Sequence, residues 1–225
     1  VKGISAERPM LRTLGWNATE ILVEDPVSLE RRLIDSKFRV IGPPAPLDMN
    51  PAVVAMQALG PAGELFYFTR IPPGKSKFNL GSAQSFVDRV FIVILGGGSL
   101  EALQEHYHKQ FGVPPAPVMP SVVSTLSVRY GLPTDYRHPI AALAVGGQCY
   151  IEADQMPAGA VPRPCLPGEL PPGIAMVRFE GERLPEGPSS GAGPAERIAS
   201  LPYAGRRACI CVGPAGELIE LIEAD

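Results

Sequence analysis

The chain has little of what usually advertises a function. Among its 225 residues are 4 cysteines, 3 histidines and 1 tryptophan. Cys149, Cys165, Cys209 and Cys211 lack the paired spacing of a zinc site; Cys209-x-Cys211 in an alternating strand would put both thiols on one face. Reduced, unpaired cysteines fit a cytoplasmic protein. Positive charge is not in excess, with 20 Lys and Arg against 23 Asp and Glu and a net charge of −3. The densest basic pairs, Arg31-Arg32 and Arg206-Arg207, are too short for a phosphate-backbone footprint, which argues against nucleic acid as a partner. The longest strictly apolar run, Val90 to Leu95, falls far short of the roughly 20 residues of a membrane-spanning helix. Residues 1–13 carry no signal-peptide core. Gly96-Gly97-Gly98 lacks the spacing of a phosphate-binding loop and reads as a strand-to-helix turn.

What is present in quantity is proline (26) and glycine (24). They cluster at 42–51, 112–120, 157–173 and 185–194, punctuating apolar periodic segments. Between them runs an internal repeat. Gly-Pro-Ala-Gly-Glu-Leu occurs at 60–65 and again at 213–218. Each copy stands between two apolar runs, a β-hairpin signal, so the chain ends two larger units in the same way.

The first unit spans 13–72. Trp16 to Val23 alternates as a strand, with Ala18, Glu20 and Leu22 on one face. Asp25-Pro26 supplies an N-cap oxygen and a first-turn proline for a short helix carrying Leu29 and Leu33. Strands are predicted at Phe38 to Ile41, Val53 to Leu59 and Glu64 to Ile71. The second unit spans 87–155. Its first strand is Val90 to Leu95, and Ser99 caps a helix with Leu100, Leu103, Tyr107 and Phe111 at core spacing, ended by Gly112. Strands follow at Val122 to Tyr130, Ile140 to Val145 and Cys149 to Ala153. A third unit, 172–225, has strands at Ile174 to Phe179, Ile198 to Leu201, Ala208 to Val212 and Leu218 to Ile222. Its Gly- and Pro-rich stretch from 186 to 196 replaces the helix by a loop. The order is β-α-β-β-β twice, then once without the helix, with Met156 to Gly173 as a linker.

These residues resemble the vicinal-oxygen-chelate superfamily, which includes glyoxalases, bleomycin-resistance proteins and extradiol dioxygenases. The ending Gly213 to Leu221, its copy at Gly60 to Phe68, and His106-Tyr107 with Phe111-Gly112 in the helix are similar to the family's module pattern. The resemblance implies an α+β fold of paired βαβββ modules whose curved mixed sheets form a cup, with short helices outside. It also implies metal ligands, a His or Gln early in a first strand and a Glu in a last strand. On this chain the first-strand positions fall on Ala18, Arg89 and Ile174 or Met176, and the last-strand positions on Tyr67, Ile151 (beside Glu152) and Glu220. Only Glu220 matches, so no family-type metal and no cofactor is expected.

Two carboxylates are therefore the candidate acids or bases. Glu220 shares a strand face with Leu218 and Ile222, and Glu20 stands between Ala18 and Leu22; a carboxyl between aliphatic neighbours holds its proton more tightly. Glu220 could equally be a solvated edge carboxylate; Glu20 is the second choice, because an exposed strand glutamate is the commoner outcome. Arg89 is placed to pair with an anionic group of a ligand, and Phe91, Tyr150, Trp16 and Tyr67 to wall a binding site, although aromatics at such spacing also build cores. The expected activity is binding of a hydrophobic or aromatic small molecule without a metal. The alternative is an enzyme, a lyase, an isomerase or a dioxygenase-like protein, using Glu220 or Glu20 as acid, base or ligand. The second and third units, joined by the long linker, are expected to pair into one cup. The first is then left to pair with a second copy of the chain in a homodimer or with an additional upstream module.

Overall fold

The computed structural model describes residues 11–48, 50–75, 80–165, 167–185 and 191–224. The first segment runs β1 (Gly15–Val23), α1 (Pro26–Leu33), β2 (Arg39–Leu47), β3 (Asn50–Leu59) and β4 (Leu65–Arg70). The second runs β5 (Val87–Gly97), α2 (Leu100–Phe111), β6 (Met119–Val122), α3 (Ser124–Arg129), β7 (Arg137–Gly146) and β8 (Cys149–Gln155). The third has β9 (Met176–Gly181), β10 (Glu196–Arg197), β11 (Arg207–Val212) and β12 (Leu218–Glu223). No helix among the described residues is long and apolar enough to cross a membrane.

Local chemistry fixes the two main helices as the sequence indicates. Asp25 accepts a hydrogen bond from the Val27 amide at 3.0 Å ahead of Pro26. Ser99 accepts from the Ala102 amide at 3.2 Å, and Gly112, at φ 68°, returns its amide to the His108 carbonyl. These contacts satisfy helix-end groups that would otherwise be left without partners.

Three local expectations are corrected. The strand predicted over Ile198 to Leu201 does not form: β10 ends at Arg197 and a turn begins at Leu201. The strand predicted over Val122 to Tyr130 stops at Val122, and the next residues form α3, which turns Leu126 and Ser127 inward. Ser127 Oγ lies 2.8 Å from His138 Nε2, so burial of a polar residue with its partner overrides the strand-like alternation. The strand expected at Phe38 to Ile41 continues through Pro43, Pro44 and Pro46 as β2. It can do so because β2 is a sheet edge, where prolines forfeit no ladder bond.

Strand pairing departs from expectation at larger scale. One eight-stranded sheet has the order β2-β3-β4-β1-β5-β8-β7-β6. Its two halves are the first and second segments, joined by antiparallel first strands with Ala18 opposite Ile94 and Glu20 opposite Ile92. The first segment thus finds its partner within the chain, which removes the reason for assigning that edge to a second copy or an upstream module. The third segment forms its own sheet, β10-β11-β12-β9, and lies face to face on the second. Ile219, Leu221, Cys209 and Cys211 pack there with Leu103, Tyr107, Leu143 and Ile151 in one buried cluster. Of the loop expected in place of a helix, 186–190 lie outside the described residues, and 191–195 contain no helix.

Candidate functional site

Placing α1 and α2 on one side of the eight-stranded sheet leaves the opposite side as the cup. Its centre is built by β4, β1, β5 and β8. β1 and β4 run parallel with Glu20 beside Tyr67, and β5 and β8 run parallel with Ile94 beside Glu152 and Gly96 beside Asp154. Period-two alternation puts Ala18 with Glu20, Leu65 with Tyr67 and Thr69, and Glu152 with Asp154 on the cup face. The floor is apolar and closed: Ala18, Leu65, Ile94, Leu126 of α3 and Met156 form one buried cluster, with Tyr67 and Ile92 packed against it.

Above this floor stand three carboxylates. The Thr69 hydroxyl donates to Glu20 Oε1. Burial, then the charge of Glu152, pushes Glu20 up to about 8, the Thr69 hydrogen bond acting in the other direction. Burial likewise brings Glu152 to about 7. Asp154, only 5% exposed, is held well above the ordinary carboxyl range by burial and by Glu152. Its Oδ1 is buried with no hydrogen-bond partner. The Tyr67 phenol is raised by burial, the nearby Thr125 hydroxyl opposing and all three carboxylates adding to the rise. A site of this kind holds protons on carboxyl groups near neutral pH, so it can donate hydrogen bonds or protons that ordinary carboxylates cannot.

The residues singled out from sequence fall in different places. Glu20 and Tyr67 come together in the cup. Phe91 and Tyr150 line a cavity of about 380 Å³ on the side of the third segment's sheet, bounded also by Thr19, Ile174 and Phe179. A neighbouring cavity of about 440 Å³ is lined by Phe111, Val145, Phe179 and Arg183. Arg89, half-buried near the start of β5, contacts Asp88 at 3.2 Å and donates to Gln148 Oε1 at 3.0 Å. Trp16 is not a wall of either space. It is fully buried, its indole N–H donating to the Leu218 carbonyl at 2.8 Å, and it joins the four-stranded sheet to the eight-stranded one. Glu220 lies in the four-stranded sheet, apart from Glu20. Arg178 Nε donates to its Oε2 and the Tyr203 hydroxyl to its Oε1 at 2.6 Å. The apolar surroundings expected of Glu220 are thus replaced by a cation and a phenol.

Sequence reading passed over Asp154 and weighed Glu152 only as the neighbour of Ile151. The signal was there: in Tyr150-Ile151-Glu152-Ala153-Asp154 the apolar residues alternate with the polar ones, and Ile151 and Ala153 are the buried face.

A transition-metal site takes three or four converging protein donors. Among the described residues no group of three His, Cys, Asp or Glu side chains is placed to hold a metal. The first strands contribute Ala18 and Ile94 to the centre, which have no donor atom. This donor set does not fit the metal that the family resemblance implies.

No family model matches the sequence, and no curated protein does. Solved structures do match. Glyoxalase I from Zea mays aligns at 16% identity over 94% of this chain and 68% of its own, with a TM-score of 0.59. A putative dioxygenase from Bacillus subtilis aligns at 9% identity over 94% of this chain and 62% of its own, with a TM-score of 0.53. The fold is glyoxalase-like: a curved mixed sheet with few short helices.

Proposed function

We propose that this chain is a small-molecule-binding protein that takes a metabolite with a hydrophobic or aromatic body into the cup between its first and second segments, and that it does so without a metal. One observation carries the reading. Three separate strands bring polar side chains, Glu20, Tyr67 and Glu152 among them, onto a single half-buried concave face above an apolar floor. Concave sites with few convergent polar groups are the usual form of a ligand pocket. Ala18 and Ile94, and the lack of three converging donors among the described residues, support metal independence. Free cysteines and the absence of an apolar span among those residues are compatible with the cytoplasm. Native mass spectrometry of the purified chain is the test: a co-purified organic molecule, lost on Tyr67→Ala, is expected. Elemental analysis giving one transition metal per chain would overturn the metal-free form of the proposal.

The raised Glu20 carboxyl favours a second reading, a lyase or isomerase moving a proton on a carbonyl or hydroxy-acid substrate. A carboxylic acid held near 8 and oriented by Thr69 is matched to neutral pH as a general acid or base. Glu20→Gln keeps size and the Thr69 contact. On this reading it lowers turnover by roughly 10²- to 10⁴-fold while ligand affinity changes far less. On the binding reading there is no turnover to lose.

A further inference from the structure

The cup contains buried carboxyl groups that no basic group in the described residues answers, and so they keep their protons near neutral pH. Among the described residues Glu152 makes no hydrogen bond and no ion pair, and Glu20 has only the neutral Thr69 hydroxyl. The ion pairs of the described residues involve Asp88, Glu105, Asp48, Glu220, Glu180 and Glu223, none of them in the cup. Asp154 is the sharpest case, 5% exposed with Oδ1 buried and unpartnered. Two residues along β8 from Glu152, it shares that residue's strand face, which is the cup face. Buried polar atoms in folded proteins are paired with few exceptions, and an orphan marks a missing partner. A cation within hydrogen-bond reach is the partner that would let such buried acids give up their protons and would satisfy the orphaned oxygen at the same time.

The cation is not a metal of the family type, because no three donors converge. A single positive group with several N–H donors can instead meet carboxylates spread over β1 and β8 one bond at a time. Tyr67, half-buried beside Glu20, adds a ring face of the kind that attracts an ammonium or guanidinium. We infer that the ligand of the cup carries an ammonium or guanidinium group, seated against Glu20, Glu152 and Asp154 and flanked by Tyr67. This rests on the reading of the cup as a small-molecule site and names the end of the molecule that the site recognises.

The test compares benzylamine with benzyl alcohol, which share a body and differ in charge. Titration calorimetry of the full chain near neutral pH, in two buffers of different ionisation enthalpy, gives affinity and proton exchange together. Benzylamine is expected to bind roughly tenfold tighter than the alcohol, as a charge-assisted contact away from bulk water should. It is also expected to release protons, because a bound cation lowers the carboxyl pKa values. Glu152→Gln with Asp154→Asn should erase the preference. The wild-type comparison stands even if that variant misfolds. Equal binding of amine and alcohol overturns the cation and leaves the small-molecule site. Binding of neither, with nothing co-purified, overturns both. Displacement of the amine by an equimolar amount of Zn²⁺ or Mg²⁺ overturns the organic cation in favour of a metal.

Discussion

A carboxyl group whose pKa in the folded chain exceeds its ordinary value makes stability depend on pH in a definite sense. Glu20 at about 8 and Glu152 at about 7 both lie above 4.5, so the folded protein keeps protons that the unfolded chain has already lost. Their contribution is fully present below 4.5 and is lost as pH rises through 7 and 8. The melting temperature should fall by roughly 3–8 °C between about pH 5.5 and about pH 9 from this source, allowing for partial solvent screening. Glu20→Gln with Glu152→Gln, which cannot ionise, should flatten that slope, as differential scanning fluorimetry across pH would read; an unchanged slope refutes the assignment. Half of this site could be read from sequence. Glu20 followed from simple alternation and Tyr67 from the family's last-strand position, whereas Asp154 needed the facing of β8. Glu220 shows the limit of the method. Its flanks, Leu218 and Ile222, indicate an apolar setting, but Arg178 and Tyr203 reach it from distant parts of the chain.

At the scale of elements, the repeated hexapeptide builds the same turn twice. The Gly60 and Gly213 amides donate to the Glu64 and Glu217 carbonyls, at 2.8 and 2.9 Å. Gly63 and Gly216 take φ values of 82° and 77°, which only glycine adopts without strain. Each glutamate folds back on its own turn, Glu64 Oε2 accepting from Ala62 and Glu217 Oε2 from Ala215. At Gly213 a Cβ would lie 1.9 Å from Glu217 Oε1, so glycine is what lets the carboxylate in. Burial then separates the copies, because Glu217 is 2% exposed and also accepts from the Tyr107 hydroxyl at 3.1 Å. Glu217→Ala should therefore cost about 2–3 kcal/mol and Glu64→Ala less than about 1 kcal/mol in denaturant unfolding. Equal costs would mean that the buried partners contribute nothing. Turns and caps such as these were legible because a few adjacent residues determine them. The α3 helix was not, since Ser124 to Arg129 is helical for the sake of Leu126 in the cup floor and Ser127 on His138.

Which segments pair is decided at the scale of the whole molecule, and here sequence reading failed for a physical reason. The first strands β1, β5 and β9 have similar apolar alternation, so nothing local says which two should share a seam. The deciding difference is the helix. α1 covers Phe68 and Met56 through Leu29, but the described residues of the third segment contain no helix over Ile219 and Leu221. That bare face is covered by the outer side of the second segment, and two side chains fasten it there. The Trp16 indole donates to the Leu218 carbonyl at 2.8 Å, and the Tyr107 hydroxyl to Glu217 at 3.1 Å, on adjacent residues of the third segment. Trp16→Phe and Tyr107→Phe each remove a hydrogen bond and keep much of the ring. Each should cost on the order of 1–2 kcal/mol, because a buried acceptor is left unpaired. Contacts on neighbouring residues couple, so the double variant should depart from the sum of the singles. The effect should also be local. Amide hydrogen exchange should quicken in β9, β11 and β12 while β1, β5 and β8, held by their own ladder, keep their protection. Uniform acceleration across both sheets would show instead that they unfold as one unit and that these two bonds are not what holds the third segment in place.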